Sequence, residues 1–411
     1  MIPFYVMSIP RALKILPRVW GLVRIWLVLR ILTSIWAALV STLCPLTMIE
    51  QTVASWPPSA PWGQWLHRAL LAPWQRWDAS WYLRILTEGY QFGNGTDTYH
   101  PLFPWLAWPI TCLGLDPLFA LMLIGNLATL AFLLLFERMA ALDSTPAQAQ
   151  TATDLLLFFP MTFILFAPYN EGLFLFLSGL TFLWARQHRW RRAGIAGALA
   201  VLTRQQGLFL VLPFAWEVWG AHGGDVRRVL RNWRCWSALG LLPIGLGLWL
   251  LYRVLVIGGN QLNFSSPYAM IYSMFISPSA WQAKDSHFVT WPWHALLLAL
   301  IHLWTKPDLD LAVNLALSTA FLGAVLLAWP HLRSSYRVYV LAMVLISFSY
   351  QTGAVHPYMG LPRHLFLAFP VFIGLGQIAR CSRNHLFMIG SLGLAGICFL
   401  ISLYVLRAWV P

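Results

Sequence analysis

Two carboxylates and two arginines stand in aromatic or apolar sequence that would not ordinarily hold a charge. Asp78 lies in Arg76-Trp77-Asp78-Ala79-Ser80-Trp81-Tyr82. Aromatic neighbours that exclude water without supplying a cation raise a carboxylate's affinity for a proton, which suits it to take one from a hydroxyl. Asp78 is therefore a candidate general base. Asp is also a favoured N-cap, so the same residue can instead cap a helix that starts at Ala79. Glu171, in Ala167-Pro168-Tyr169-Asn170-Glu171-Gly172, falls on a boundary between two apolar runs. An ionised group there needs a wet cavity or a partner, unless it snorkels to the interface. Arg204, in Thr203-Arg204-Gln205-Gln206-Gly207, sits near the middle of an apolar stretch from Ala193 to Trp216. A guanidinium fork suits phosphate oxygens, or it pairs with a buried carboxylate and fixes packing. Arg363, in Gly360-Leu361-Pro362-Arg363-His364, precedes another apolar run, where it either binds phosphate or anchors a helix end.

Other chemistries lack their parts. His100, His356 and His364 have no HExxH or comparable spacing, so no metal ligand set is assigned. No Walker loop is present, and no GxGxxG opens a helix after a strand, which argues against a nucleotide-binding domain and leaves no cofactor to assign. Cys44, Cys112, Cys235, Cys381 and Cys398 form no CxxC pair and read as small apolar packing residues.

The elements that must position these residues belong in a bilayer. The 411 residues are 59% hydrophobic and only 10% charged, whereas a soluble domain carries roughly a quarter charged residues. Apolar runs of helical span length recur at Trp20–Cys44, Leu115–Phe136, Asp154–Pro168, Gly172–Trp184, Trp236–Ile257, Trp293–Trp304, Leu311–Trp329, Val338–Tyr350, Leu365–Ile378 and Leu386–Leu406. The expected fold is an all-α polytopic membrane protein forming a single domain over residues 1–411. The net charge of +13 resides mainly in clusters between runs, such as Arg186, Arg189, Arg191 and Arg192, and Arg227, Arg228, Arg231 and Arg234. That is the positive-inside pattern, with attraction to anionic membrane lipids, and not a nucleic-acid footprint.

Residues 45–100 form a large first extracytoplasmic loop, rich in Trp and Pro, with short amphipathic pieces at Trp62–Leu71 and Ser80–Leu86 expected to lie as interfacial helices. Basic clusters at both ends of the stretch 193–216 demand the same side of the membrane, so this stretch is expected to be a re-entrant helical hairpin with Arg204 near its tip. Asp78, Glu171 and His356 then share the outer face.

Taken in order, Trp77-Asp78 with Tyr82-Leu83 and Gly89-Tyr90, Pro101-Leu102-Phe103-Pro104, Ala167 to Glu171, Thr203 to Gly207, and Pro362-Arg363 resemble the PIG-V family of mannosyltransferases, within the GT-C superfamily. The resemblance runs from about Trp74 to Pro370. It implies a GT-C type multi-span helical bundle and transfer of mannose from a lipid-linked donor, polyprenyl or dolichyl phosphate mannose, to an acceptor hydroxyl on a glycan, lipid or protein, with inversion. It implies that Asp78 is the catalytic acid position of the first loop, and that Trp77, Tyr82, His100, Tyr169, Glu171, Arg204, Gln205 and Arg363 bind substrate around it. A bacterial plasma membrane is the implied location, or the endoplasmic reticulum membrane in a eukaryote. A secondary transporter or lipid flippase is the alternative, since broken helices and buried charges serve carriers too.

Overall fold

The computed structural model describes residues 9–45, 67–259, 261–275, 288–352, 357–358, 360–379 and 383–408. Helices dominate it: α1 (Ile9–Leu43), α2 (Asp78–Glu88), α3 (Leu102–Cys112), α4 (Pro117–Ala140), α5 (Pro146–Leu157), α6 (Glu171–Arg186), α7 (Trp190–Thr203), α8 (Val211–Ala221), α9 (Val226–Arg231) and α10 (Trp233–Tyr252). They continue as α11 (Pro267–Phe275), α12 (Pro292–Thr305), α13 (Leu309–Ala328), α14 (Ser334–Ser349), α15 (Leu361–Phe366), α16 (Pro370–Ile378) and α17 (Arg383–Val405). The strands described are a two-residue antiparallel ladder, Phe288 opposite Gln351 and Val289 opposite Tyr350. Among the described residues five helices are long and apolar enough to cross a membrane, over Arg18–Leu43, Pro117–Ala140, Trp233–Ile257, Leu309–His331 and Phe387–Val405. Large apolar side chains such as Ile35, Leu248 and Leu326 face outward from these elements, as expected where lipid is the solvent. The expectation of an all-α membrane protein holds at this level.

Helix α6 is the axis that positions the charged residues. It packs on α4 along one side and on α7 along another. Close approach to α4 requires Gly172, because a Cβ there would lie 2.2 Å from the Thr129 hydroxyl oxygen. That contact seats Glu171, the first residue of α6, against the neighbouring helix. Helix α7 ends at Thr203, and Arg204 follows in an extended conformation (φ −155°, ψ 144°). A 3₁₀ stretch, Gln205–Leu210, then folds back on α7. Gly207 permits this return, since a Cβ on it would meet the Ala200 backbone at 2.5 Å. Helix α8 then runs back until the Phe214 ring lies 6.1 Å from Trp190, at the start of α7. The chain thus enters and leaves at the Trp190 end, with Arg204 at the far end.

Boundaries of other elements differ from the sequence reading in instructive ways. The run Asp154–Pro168 is divided, with α5 ending at Leu157 and a 3₁₀ stretch at Pro160–Leu165, because Pro160 cannot continue the amide ladder. The run Leu365–Ile378 is divided between α15 and α16, with Pro370 starting the second. Of the amphipathic piece Trp62–Leu71, residues 62–66 lie outside the described residues, as does His356, and His67–Leu71 is a π-helical turn. The other piece, Ser80–Leu86, lies within α2.

A candidate active site built on four charges

Four distant segments bring Asp78, Glu171, Arg204 and Arg363 into one chain of ion pairs. Arg363 is the bridge: its Nη2 donates to Asp78 Oδ2 at 2.5 Å, and its Nε donates to Glu171 Oε1. Arg204 Nη1 donates to the same Glu171 oxygen and, at 2.9 Å, to Asn170 Oδ1. Asn170 in turn donates to the Thr203 carbonyl at 2.7 Å, tying the start of α6 to the end of α7. Glu171 Oε2 is buried without a hydrogen bond. Two carboxylates offset two guanidiniums, so the cluster is formally neutral, which is how such charges are tolerated away from water.

Exposure separates the four. Glu171 is fully buried, and Arg204 and Arg363 nearly so, whereas the Asp78 side chain keeps 24% of its surface open. Asp78 is the member best placed to meet a solute. Its other oxygen, Oδ1, accepts from the Tyr99 hydroxyl at 3.0 Å. Burial on its own would raise the affinity of this carboxyl for a proton. The Arg363 charge and hydrogen bond, the Arg204 charge and the Tyr99 hydroxyl outweigh it and hold the carboxyl below its ordinary range. The sequence reading had the direction reversed: Trp77, Trp81 and Tyr82 exclude water as expected, but the fold supplies a cation from a residue 285 positions away.

The capping alternative for Asp78 is also corrected. Asp78 is itself the first residue of α2, Trp77 precedes it as N-cap, and the carboxylate is turned to Arg363 and Tyr99. Trp77 holds φ 53° and ψ −122°, a conformation rare for a bulky side chain and one that marks a constrained turn.

The remaining candidates fall at graded distances from this cluster. The Tyr169 ring lies under the Arg363 guanidinium, 4.5 Å from centroid to Cζ, and its hydroxyl donates to the Arg76 carbonyl at 3.2 Å. Tyr82 is buried with its ring 5.2 Å from Tyr99 and 5.0 Å from Phe103, as part of the aromatic wall behind Asp78. The His100 ring packs against Trp249, with centroids 5.6 Å apart. Burial, reinforced by the Arg253 and Arg204 charges and opposed by a hydrogen bond to the Val201 backbone, pulls its pKa down to about 3. A neutral imidazole is the result at physiological pH.

Gln205 is half-buried, and it is Gln206 that reaches both Arg204, at 3.4 Å, and the His364 ring, at 3.4 Å. Tyr99 and Asn170 carry no role in the sequence reading, whereas Gln206 is expected beside Gln205 near the hairpin tip and His364 among the outer-face histidines. Asn170 and Gln206 adjoin charged candidates, which is a usable signal, whereas nothing local marks Tyr99 as the partner of Asp78. Among the described residues no group of three or more His, Cys, Asp or Glu side chains is arranged to hold a metal ion.

A second charged cluster closes the opposite end of α6, roughly 22 Å away at 1.5 Å per residue. There Arg186 donates to both Asp143 oxygens, at 2.5 and 2.8 Å, and to the Tyr336 hydroxyl, at 3.0 Å. Arg333 pairs with Glu217 through two bonds, at 2.8 and 2.9 Å. A cavity of about 450 Å³ opens between them. The basic clusters flank this end.

No protein-family model matches the chain, and no curated protein does so either.

Proposed function

We propose that the protein is a membrane glycosyltransferase of the GT-C type, moving mannose from a polyprenyl- or dolichyl-phosphate donor to an acceptor hydroxyl. The observation that carries this reading is a partly exposed carboxylate, Asp78, at the open end of a pair of buried arginines. A base beside cations that accept a phosphate is the pairing that such a transfer needs. The ordered motifs that resemble those of PIG-V mannosyltransferases suggest the sugar and the carrier.

In the proposed reaction Asp78 takes the acceptor's hydroxyl proton while that oxygen bonds to the anomeric carbon. The bond from carbon to the phosphate oxygen breaks, and its electrons leave with the lipid phosphate. One displacement inverts the configuration. Arg363 and Arg204 offset the charge that develops on the leaving phosphate. In the free protein Arg363 holds Asp78 as a weak base. A donor phosphate that draws Arg363 toward itself removes that restraint, so the carboxylate gains basicity once the donor is in place. This predicts donor binding before acceptor activation.

A second reading has one observation in its favour. The interruption at Arg204, with extended backbone between two helical segments, is also a carrier feature, so a transporter or lipid flippase is the rival. Purified protein incubated with radiolabelled polyprenyl-phosphate mannose and a lipid extract of its source separates the two. Labelled product supports the transferase; movement of intact donor between leaflets of a vesicle, without product, supports the carrier.

A further inference from the structure

Among the described residues, the non-glycine positions with left-handed φ are Trp77 (φ 53°), His188 (φ 57°) and Arg407 (φ 67°). Two of the three touch. The Arg407 guanidinium lies over the Trp77 ring at 5.9 Å from its centroid. Bulky side chains take such conformations at a cost, and they persist only where the surroundings fix them.

The surroundings here are the end of α17 and the turn that leads into α2. Tyr404, fully buried, donates to the Trp74 carbonyl at 2.8 Å and to the Arg76 carbonyl at 3.3 Å. In return Arg76 Nε donates to the Val405 carbonyl at 3.1 Å. Tyr169, the residue beneath Arg363, adds its own donation to the Arg76 carbonyl. Tyr404, Val405 and Arg407 thus hold Trp74, Arg76 and Trp77, immediately before Asp78. A buried phenol needs an acceptor, but any carbonyl would satisfy it. These choose the carbonyls on either side of Gln75, one residue ahead of the strained Trp77.

We infer that Tyr404 is a positioning residue, and that the last turn of α17 is a brace that holds the Asp78 turn in its strained form. The brace fixes the distance from Asp78 to Arg363, because Tyr169 links the braced carbonyl to the arginine. The inference rests on Asp78 being the reacting acid only for its consequence on turnover, not for the brace itself.

The test is Tyr404→Phe, which keeps the ring and removes the donor, with Arg407→Gly as a second variant that relaxes the helix end and removes the cation. Hydrogen exchange reads the brace directly. The Ala79 amide donates to the Arg76 carbonyl and the Ser80 amide to the Trp77 carbonyl, so both report on the turn. Each variant is expected to raise their exchange by roughly tenfold, the value of one lost hydrogen bond, and to lower the turnover of mannose transfer by a similar factor with donor KM little changed. In a Trp77→Gly background, where glycine holds the turn without strain, Tyr404→Phe should raise exchange by clearly less. Unchanged exchange at Ala79 and Ser80 in both variants overturns the brace. Faster exchange with parental turnover overturns the positioning role. Faster exchange in a protein whose parent transfers nothing upholds the brace and refutes the reading of Asp78.

Discussion

Replacing Glu171 by Gln removes the anion on which two buried arginines depend. Arg363 and Arg204 both donate to Glu171 Oε1, and the carboxylate has no exposed surface. After the change the cluster carries a net charge of +1, with Asp78 as its remaining carboxylate. Removing one partner from a buried ion pair costs about 3–5 kcal/mol, because the other charge stays buried and uncompensated. Glutamine keeps an acceptor oxygen, so the lower part of that range, about 3 kcal/mol, is expected. Glu88→Gln is the control. Glu88 pairs with Arg84 at 2.9 Å on an open helix face, with side-chain exposures of 23% and 29% for arginine and glutamate. Such pairs contribute under about 0.5 kcal/mol. Unfolding of both variants in one detergent should therefore separate them clearly. Adding Arg204→Gln to Glu171→Gln restores neutrality and should recover at least about 1 kcal/mol of the loss. If Glu171→Gln proves no more costly than Glu88→Gln, the ion-pair account of the site is wrong.

Two further outcomes follow from the same geometry. His100, with a pKa of about 3 against an ordinary 6.5, stays neutral in the folded chain while the unfolded chain takes up a proton. Its contribution to stability is therefore complete above about pH 6.5 and declines as pH falls toward 3, by a few kcal/mol in all; His100→Phe should flatten that slope in unfolding measured from pH 7 to 4, and an unchanged slope would remove His100 as its source. Arg189 and Arg228 are both exposed, in clusters that the positive-inside rule predicts to share the cytoplasmic side. Cysteines introduced at these two positions in intact cells should respond alike to a membrane-impermeant reagent, and labelling of one alone would break the proposed topology.

The long helices and the four charges were legible because each leaves a local mark. A run of apolar residues announces its length, and a charge inside such a run is conspicuous. Pairing was not legible. Asp78 meets Arg363 across 285 positions, and no local pattern encodes that separation. The sign of the Asp78 shift was lost with it, since aromatic neighbours are adjacent in sequence and the deciding cation is not. Trp77 shows the same limit for backbone: its left-handed φ is imposed by contacts from the far end of the chain, where Tyr404 and Arg407 lie. Which of the two adjacent glutamines contacts Arg204 is a finer detail, set by the side chain that the 3₁₀ turn after Arg204 directs at the cluster, and it is Gln206.

Mannose transfer by the parent and by Asp78→Asn tests the central claim most directly. Asparagine preserves the shape of the side chain and can still accept from Arg363 through its one oxygen while its amide group donates to the Tyr99 hydroxyl, but it cannot take the acceptor's proton. The side chain is partly open, so folding should survive the change. A general base contributes about a hundredfold to ten-thousandfold in rate. With radiolabelled polyprenyl-phosphate mannose as donor, the parent should form labelled product and a folded Asp78→Asn should form it at least about a hundredfold more slowly. Near-parental transfer by Asp78→Asn would contradict the role of this acid, and a parent that forms no labelled product would contradict the transferase itself.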